Sequence, residues 1–416
     1  MREPAIKIPE SVEIPIARRI ERPNGTSLHI LDNGGQGVVR LSFVFEAGSS
    51  HQSVPFAAGA TLNLLSCGTR NFSAEQIAER LDFYGAYYDA SLDRDYAVVT
   101  LCALCSHATE IMEIASETIL HPTFPEHELA TYRAKRKSAL RSDRLKPDFI
   151  ARELFGRTLF GADHPYGRTN DEACYDLLRR CDVEEFYRNH YVADGAFAVI
   201  SGQSDRTIIE AAEKILDSLP SRPICRVEMP LPHSTLSSEQ SIEGAVQSSV
   251  RVGKVLFPRQ SPDFIEMQVV STVLGGYFGS RLMQSLRERK GYTYGAYAAT
   301  INLQHSGYFV AGAEVGREHC REAVDEILSA IELLCRRGVG RNEMEMVRRM
   351  LFGEVMRILD GPFGIADITI ENIENGTDNH YTEEFVRRIR NITGDEVQAA
   401  ARRHLAEGGF SVITVG

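Results

Sequence analysis

The chain has 416 residues, 43% hydrophobic and 25% charged, with a formal net charge of −11. This length suits two domains of roughly 200 residues each, and the acidic balance excludes the basic surface that a nucleic-acid-binding protein needs. The sequence contains no apolar run of about 18 residues, which a membrane span requires, and its N-terminus lacks the apolar segment of a signal peptide. We therefore expect a cytoplasmic protein that binds neither membrane nor nucleic acid.

Hydrophobic periodicity and turn residues predict a definite order of elements in the first half. A strand is followed by two helices and a second strand, a long helical middle comes next, and a helix and a strand close the half. The predicted strands are 38–45, 95–104 and 195–201, and the predicted helices are 55–65, 74–86, several within 106–145, and 182–190.

The second half repeats the first. Tyr-Gly-Ala-Tyr at 84–87 recurs 210 residues later at 294–297, and Val39-Arg40 recurs 211 residues later as Val250-Arg251. A third set of matches, from Val183 to Gly202, recurs 214 residues later from Val397 to Gly416. Three sets in chain order at nearly constant offset indicate two homologous domains. A proline-rich segment separates them. We therefore divide the chain into domains 1–220 and 237–416, joined by a linker at 221–236.

Helices cluster apart from hairpin-like strand pairs in both halves. This pattern favours an α+β fold over regular βαβ alternation. We expect two α/β-sandwich domains, each a largely antiparallel sheet with helices packed on one face.

The stretch 274–297 combines a glycine-rich turn, a short helix and the start of a strand. We expect the helix to begin after an N-cap at Ser280 and to stop at Gly291, and the strand to start at Tyr292. Taken alone, the stretch fits an ordinary helix–strand corner with solvated charges. The glycines, which predict an open turn that another backbone can approach, are Gly275, Gly276 and Gly279.

The whole order of elements, with several local phrases, resembles the insulinase-like (M16) metallopeptidase family, which includes mitochondrial processing peptidase and bacterial two-subunit peptidases. The resemblance spans about residues 41–416 and implies the LuxS/MPP-like metallohydrolase fold, with the two domains arranged as a clamshell. The phrases are Glu-Ala-Gly-Ser-Ser at 46–50, Cys-Gly-Thr at 67–69, Ala-Glu-Gln-Ile-Ala-Glu at 74–79, His-Pro-Tyr-Gly-Arg at 164–168 and Ser-Arg-Leu-Met-Gln-Ser-Leu-Arg at 280–287.

The family's zinc motif, His-x-x-Glu-His with a downstream glutamate, has lost its functional side chains here. Alignment on the Cys-Gly-Thr phrase places the two histidines on Gly59 and Asn63, the glutamate on Leu62 and the third ligand on Ala139. Zinc needs about three protein donors at such a site, and the glutamate is needed to activate water. The resemblance therefore implies no cofactor on this chain, although a metal site assembled from distant residues stays open.

The family's second catalytic element is retained. Family members supply an arginine and a tyrosine seven residues apart from the C-terminal domain, and Arg287 and Tyr294 have that spacing. The resemblance implies that they hold a substrate carbonyl and donate to a developing oxyanion. It also implies that the glycines Gly275, Gly276 and Gly279 bind substrate beside them.

The preferred hypothesis is a zinc-free subunit that pairs with a zinc-bearing M16-family subunit and completes its active site in trans. Peptide substrates would add as a β-strand to a sheet edge. The alternative is a non-enzymatic peptide-binding scaffold of the same fold, as a homodimer in one version. A third hypothesis, an independently active peptidase, predicts stoichiometric zinc in the isolated chain.

Overall fold

Two mixed sheets, one from each half of the chain, form the framework of the molecule. The structure, a computed structural model, describes residues 12–234 and 237–416. The strands of the first sheet are β1 (Arg18–Glu21), β2 (Ser27–Leu31), β3 (Val38–Phe45), β4 (Tyr87–Leu92), β5 (Ala97–Leu104) and β6 (Phe197–Gly202). The strands of the second are β7 (Ser237–Gln240), β8 (Gln247–Leu256), β9 (Ala296–Asn302), β10 (Gly307–Gly316) and β11 (Ser411–Val415).

The helices fall into two groups that follow the same division. In the first half they are α1 (Ala57–Leu64), α2 (Ala74–Phe83), α3 (Ala108–Leu120), α4 (Glu126–Asp143), α5 (Pro147–Phe160), α6 (Cys174–Leu177), α7 (Arg180–His190) and α8 (Arg206–Asp217). In the second half they are α9 (Phe264–Gly275), α10 (Cys320–Arg337), α11 (Arg341–Ile358), α12 (Pro362–Glu374), α13 (Asn379–Asn391) and α14 (Gly394–Leu405). A π-helix covers Met283–Arg289, and short 3₁₀ turns cover Ser49–His51, Cys105–His107 and Arg317–His319.

Both sheets are mostly antiparallel. The first has the strand order β1-β2-β6-β3-β5-β4 and the second the order β7-β11-β8-β10-β9. Each sheet has one parallel pair, β2 with β6 in the first and the outer strand β7 with β11 in the second, and the other neighbouring pairs run antiparallel. The predicted α+β fold with two related, largely antiparallel sheets is confirmed.

Alternating side chains divide each sheet into two apolar faces. On β3, Leu41, Phe43 and Phe45 enter the main core of the first half, where α1, α3, α7 and α8 pack. Val44, one residue out of phase, faces the opposite side and joins a separate cluster. This two-residue period is what a pleated strand buried on both faces requires.

The second face of each sheet is covered by a helix from the other half. Helix α5 packs on β8 and β11 through Ala151, Phe155 and Leu159, which lie at four-residue intervals and are buried against the second sheet. Helix α12 packs on β6 of the first sheet. Both helices begin with a proline in the first turn, 215 residues apart, where its missing N–H costs nothing. The sequence did not reveal this exchange.

Equivalent arginines tie the exchanged helices to their sheets. Arg40 of β3 forms an ion pair with Asp367 of α12, and Arg251 of β8 forms one with Asp148 of α5. The two arginines are the pair that the internal repeat had matched. Both guanidiniums are largely covered, with side-chain exposures of 14% and 13%. The repeat therefore extends to the contacts that hold the two halves together.

The two halves also meet at equivalent hairpin turns. Asp95, in the turn between β4 and β5, is 5% exposed and accepts hydrogen bonds from the Tyr166 hydroxyl at 2.6 Å and the Gln304 backbone N–H at 3.0 Å. Gln304 lies in the turn between β9 and β10 and donates from Nε2 to the Tyr96 hydroxyl at 2.9 Å. A buried carboxylate with these partners fixes one hairpin against the other.

The predicted elements of the first half differ from the observed ones mainly at their ends. The strand 38–45 coincides with β3, and the helix predicted at 182–190 begins two residues earlier in the structure. The strands β1, β2 and β4 and the helices α5 and α8 were not predicted. The segment 221–234 contains no helix or strand, but Arg226 within it pairs with the buried Glu46 at 3.0 Å. The domain limits drawn at 220 and 237 stay a prediction. None of the helices in the described ranges combines the length and hydropathy needed to cross a bilayer.

We predict that Phe155→Ala destabilises the whole protein. Phe155 is 4% exposed on the exchanged helix α5, so its loss leaves a cavity against the second sheet costing about 3–5 kcal/mol. Urea unfolding measured by circular dichroism gives the free energy of unfolding. The control Phe83→Ala removes a phenylalanine that is 82% exposed and should change it by less than about 0.5 kcal/mol. A cost for Phe155→Ala as small as that of the control would contradict the packing role of α5.

A second prediction concerns pH. Burial, with the nearby negative charges of Asp93, Glu371 and Asp95, raises the pKa of Glu374 to about 8. Between its unfolded value of about 4.3 and this folded value, the folded state holds a proton that the unfolded state has lost, so stability from this group falls as pH rises. Glu374→Gln should therefore gain stability over the wild type by up to about 4 kcal/mol more at pH 8.5 than at pH 5, since nearly three pKa units separate the two conditions at about 1.4 kcal/mol per unit. Urea unfolding at both pH values measures this difference, and an offset that does not change with pH would contradict it.

Candidate functional site

The stretch 274–297 is built around a π-helix. Its backbone closes an i→i+5 hydrogen bond from Lys290 N to Ser285 O at 3.2 Å. Leu286, fully buried, holds one face of this helix in the core of the second half. Such wider turns recur at functional sites because they re-aim the side chains on the opposite face. Sequence periodicity predicted an ordinary helix here and could not show the wider turn.

The corner differs from its prediction in two details. Ser280 is fully buried and its hydroxyl has no hydrogen-bond partner in the described ranges, so the predicted N-cap bond is wrong. The strand begins at Ala296, four residues later than expected, where the Ala296 N–H donates to the Met283 sulfur at 3.2 Å. Tyr294 therefore lies in the turn before β9 and not within it.

Arg287 and Tyr294 are presented to solvent. The Tyr294 side chain is 91% exposed, and the Arg287 guanidinium lies over the ring of Phe278, 4.6 Å from its centre. Phe278 is itself 63% exposed. The structure thus places a cation, a phenol and an exposed aromatic ring on one connected segment whose other face is anchored in the core.

Neighbouring basic residues of the same segment have partners that Arg287 lacks. Lys290 pairs with Glu326 of α10 at 2.7 Å, and Arg289 lies 4.0 Å from the same carboxylate. Within the described ranges, Arg287 pairs with its sequence neighbour Glu288 at 3.6 Å. Its fork of donors is therefore largely available to a bound ligand.

The three glycines before the π-helix differ in their burial and in what surrounds them. Gly275 ends α9 and is buried, and a Cβ there would lie 2.1 Å from the backbone nitrogen of Ala298. Another backbone does approach closely, as expected, but it is β9 of this chain, so the predicted open turn is wrong at Gly275 and no ligand can reach it. Gly276 is exposed and Gly279 half-buried. Substrate binding by these two stays a prediction.

Two of the four zinc-motif positions lie at one cavity. Gly59 on α1 and Ala139 on α4 both line a cavity of about 320 Å³. Asn63 is exposed and donates from Nδ2 to the Gly59 carbonyl at 2.8 Å, while Leu62 is 1% exposed in the core. Gly59 and Ala139 are therefore neighbours in the structure, and the assignment of the four positions to the zinc motif stays a prediction.

The residues present do not fit a zinc ion. Glycine, leucine and alanine have no donor side chain, which leaves the amide oxygen of Asn63 as one weak donor where zinc needs about three. A Cβ on Gly59 would lie 3.0 Å from the Tyr132 hydroxyl, so tyrosine occupies the space that a side chain there would need. Across the ranges 12–234 and 237–416, no group of three His, Cys, Asp or Glu side chains is arranged to hold a metal.

An arginine and two tyrosines stand beside the lost zinc motif, and the sequence interpretation missed them. Tyr132, Arg136 and Ala139 share one face of α4, and Tyr175 of α6 completes the group. Burial disfavours a charged Arg136, but the adjoining Tyr132 and Tyr175 outweigh it and raise the pKa of the guanidinium. Tyr132, Arg136 and Ala139 are four and three residues apart, which places them on one face of a helix, and this spacing was the signal in the sequence that could have indicated the group.

Two family models match most of the chain. One described as insulinase (peptidase family M16) matches residues 35–160, and one described as the peptidase M16 inactive domain matches residues 178–351. The chain belongs to the M16 peptidase family. One of the two matching models is described as an inactive domain, and the positions aligned with the zinc motif hold Gly59, Leu62 and Asn63.

Individual relatives agree with this assignment. The chain is 22% identical over 398 residues to an uncharacterized zinc protease of Bacillus subtilis, covering 94% of this chain and 96% of that one. It is 25% identical over 166 residues to the alpha subunit of the mitochondrial processing peptidase of Solanum tuberosum, covering 39% of this chain and 32% of that one.

Solved structures show the same fold. A peptidase M16 inactive domain from Pseudomonas fluorescens superposes with a TM-score of 0.88 at 22% identity, covering 96% of this chain and 98% of that one. A protease from Helicobacter pylori gives a TM-score of 0.88 at 16% identity, covering 97% and 100%.

We predict that Gly275→Ala and Gly279→Ala have different effects on stability. The new methyl group at Gly275 would collide with the backbone of β9 and cost about 2–3 kcal/mol of overpacking. At Gly279 it would meet the ring edge of Tyr277 at 2.9 Å, which a side-chain rotation relieves, so we expect less than about 1 kcal/mol. Thermal and urea unfolding of both variants measure this, and equal costs would contradict the packing role of Gly275.

Proposed function

We propose that this chain is the zinc-free subunit of a two-subunit M16 peptidase, and that it supplies Arg287 and Tyr294 to a site whose metal is held by a zinc-bearing partner. The observation that carries the proposal is a contrast within one chain. The positions aligned with the zinc motif lack its donors, whereas Arg287 and Tyr294 keep the family spacing and lie outside the core, Tyr294 at 91% exposure and Arg287 with a half-buried side chain at 36%. A chain that had kept only its fold would not need both side chains outside its core.

The chemistry of the pair suits peptide hydrolysis. A guanidinium can hold a carbonyl or carboxylate oxygen with two parallel N–H donors, and a phenol can donate to an oxyanion as it forms. Phe278 beneath Arg287 restrains the guanidinium plane by cation–π contact. The pair thus provides binding and charge stabilisation, and the metal chemistry belongs to the partner.

The sheet edges provide a place for an extended peptide. β4 ends the first sheet and β9 ends the second, so each has one side without a neighbouring strand in the described sheets. β9 begins two residues after Tyr294, which places that edge next to the proposed pair. A peptide paired with such a strand is held through its backbone, and this mode accepts varied sequences.

The relatives support the class of the proposal. Several are described as zinc proteases, and one is a subunit of the mitochondrial processing peptidase. Because the relatives include both zinc proteases and a subunit of a larger peptidase, the role of a zinc-free partner subunit is consistent with this family.

Substitution of the pair tests the proposal. The chain is mixed with an M16 chain that carries an intact His-x-x-Glu-His motif, taken from the same genome, and cleavage of an internally quenched peptide is followed. Arg287→Ala and Tyr294→Phe should each lower kcat of the mixture about 10²-fold, because each removes a donor that acts in the transition state. Unchanged kcat for both variants in an active complex rules out the trans site.

Matched controls separate this effect from general damage. Arg289→Ala removes an arginine two residues further on that faces Glu326, and Tyr84→Phe removes the hydroxyl at the repeat-equivalent position of the first half. Both should leave kcat within about twofold, since exposed ion pairs contribute little. Peptide binding without cleavage in every mixture, with a homodimer in sedimentation, would favour the scaffold alternative. Stoichiometric zinc in the isolated chain would favour an independent peptidase.

A further inference from the structure

The cavity at the lost zinc motif has a strongly basic wall. It lies between α1, α4, α5 and the end of β4, and includes Gly59 and Ala139. Its charged lining is unusual for a chain with a net charge of −11. The arginines that line it are Arg94, Arg136, Arg152 and Arg168.

The acidic residues of the cavity do not neutralise these arginines by direct pairing. Asp143 pairs with Lys146 at 2.8 Å, and Glu153 lies 3.7 Å from Arg144, both outside the lining. By contrast, Arg94, Arg136 and Arg152 make no ion pair with any carboxylate in the described part of the chain. The wall therefore carries positive charge that an anion can use.

Aromatic contacts hold the centre of this wall in place. The Arg136 guanidinium lies against the Tyr132 and Tyr175 hydroxyls. The ring of Tyr175 is stacked on Phe56, with centres 3.8 Å apart and planes within 3°. Phe56 adopts a left-handed backbone conformation with φ of 67°, which a bulky residue seldom accepts without a compensating contact. This strained residue begins α1 and is part of the same cavity lining.

The shape and position of the cavity select the kind of anion. A volume of about 320 Å³ admits an amino-acid residue but not a long chain. Leu92, the last residue of edge strand β4, lines the same cavity, so an extended peptide on that edge can end in it. The aromatic and aliphatic walls favour an amino-acid side chain over a bare phosphate, and the planar fork of arginine matches a carboxylate.

We propose that this cavity binds a carboxylate of an extended peptide, with Arg136 as its main anchor and Arg94 and Arg152 as supporting charges. The carboxylate is the C-terminus of the peptide or the side chain of an aspartate or glutamate. This binding needs neither the partner nor hydrolysis, so it stands or falls separately from the role of Arg287 and Tyr294.

Calorimetry with three peptides tests this. The probes are a ten-residue peptide without acidic side chains and with a free C-terminus, its C-terminal amide, and the amide with one internal glutamate. The isolated chain should bind the free acid at least tenfold more tightly than the plain amide. If the glutamate restores affinity, a side-chain carboxylate also serves; if it does not, the site reads the terminus. Equal affinity of the chain for all three peptides overturns the proposal.

Two variants locate the binding in this cavity. Arg136→Gln should lower the affinity for the free acid about tenfold and leave the affinity for the plain amide unchanged, because the lost interaction is with the carboxylate. Ala139→Glu places a carboxylate three residues from Arg136 on the same face of α4 and should weaken the free acid similarly. The control Arg387→Gln alters an arginine on α13 that is 71% exposed and pairs with Glu384, and it should bind like the wild type. If both cavity variants keep normal thermal stability and bind the free acid as tightly as the wild type does, the assignment of binding to this cavity is wrong.

Discussion

The exchange of α5 and α12 between the halves is the constraint on which the rest of the molecule depends. Each sheet has an apolar second face, and each is closed by the helix that the other half provides. Neither half can therefore bury its sheet fully without the other. The free energy gained by this burial, about 25 cal/mol per Å² of apolar surface, depends on both halves. The Arg40–Asp367 and Arg251–Asp148 pairs fix the positions of these helices, because a largely covered guanidinium that lost its carboxylate would be left poorly solvated.

This exchange also shapes the arginine-lined cavity. One face of α5 carries Ala151 and Phe155 into the second sheet, and the adjacent face carries Arg152 and Glu153 to the cavity wall. All the residues that line the cavity belong to the first half, but the helix that supplies Arg152 and Glu153 also packs on the second sheet. The position of Arg152 relative to Arg136 is set by how α5 packs on the second sheet. A change in the angle between the halves would alter the cavity directly.

The sequence predicted the fold class, the internal repeat and the strand β3, because strong two-residue and helical periodicities and the repeated Tyr-Gly-Ala-Tyr are local signals. It could not predict that α5 crosses to the other sheet, since an apolar stripe at 151, 155 and 159 specifies burial and not the surface that receives it. The π-helix was missed because a bulge of one residue leaves the pattern of buried positions almost unchanged. The alignment predicted which positions had held the zinc ligands, but it did not predict Tyr132 and Arg136 beside them, because a missing ligand does not indicate which side chains surround its position.

The position of Arg287 and Tyr294 at the surface gives a physical reason why, under the proposed function, this chain would contribute to catalysis only when bound to a second subunit. In water, a guanidinium and a phenol exchange one hydrogen-bond partner for another with little net gain. The same donors stabilise a developing charge strongly once water is excluded and the effective dielectric falls. In the isolated chain Tyr294 is 91% exposed, so the donors are placed but not yet in the surroundings that make them effective. A second surface that covers this segment would supply that change, and it would also bury Phe278, whose exposed ring then contributes to association rather than costing solubility. Under the proposed function, a zinc-bearing partner would therefore contribute the exclusion of water as much as the metal.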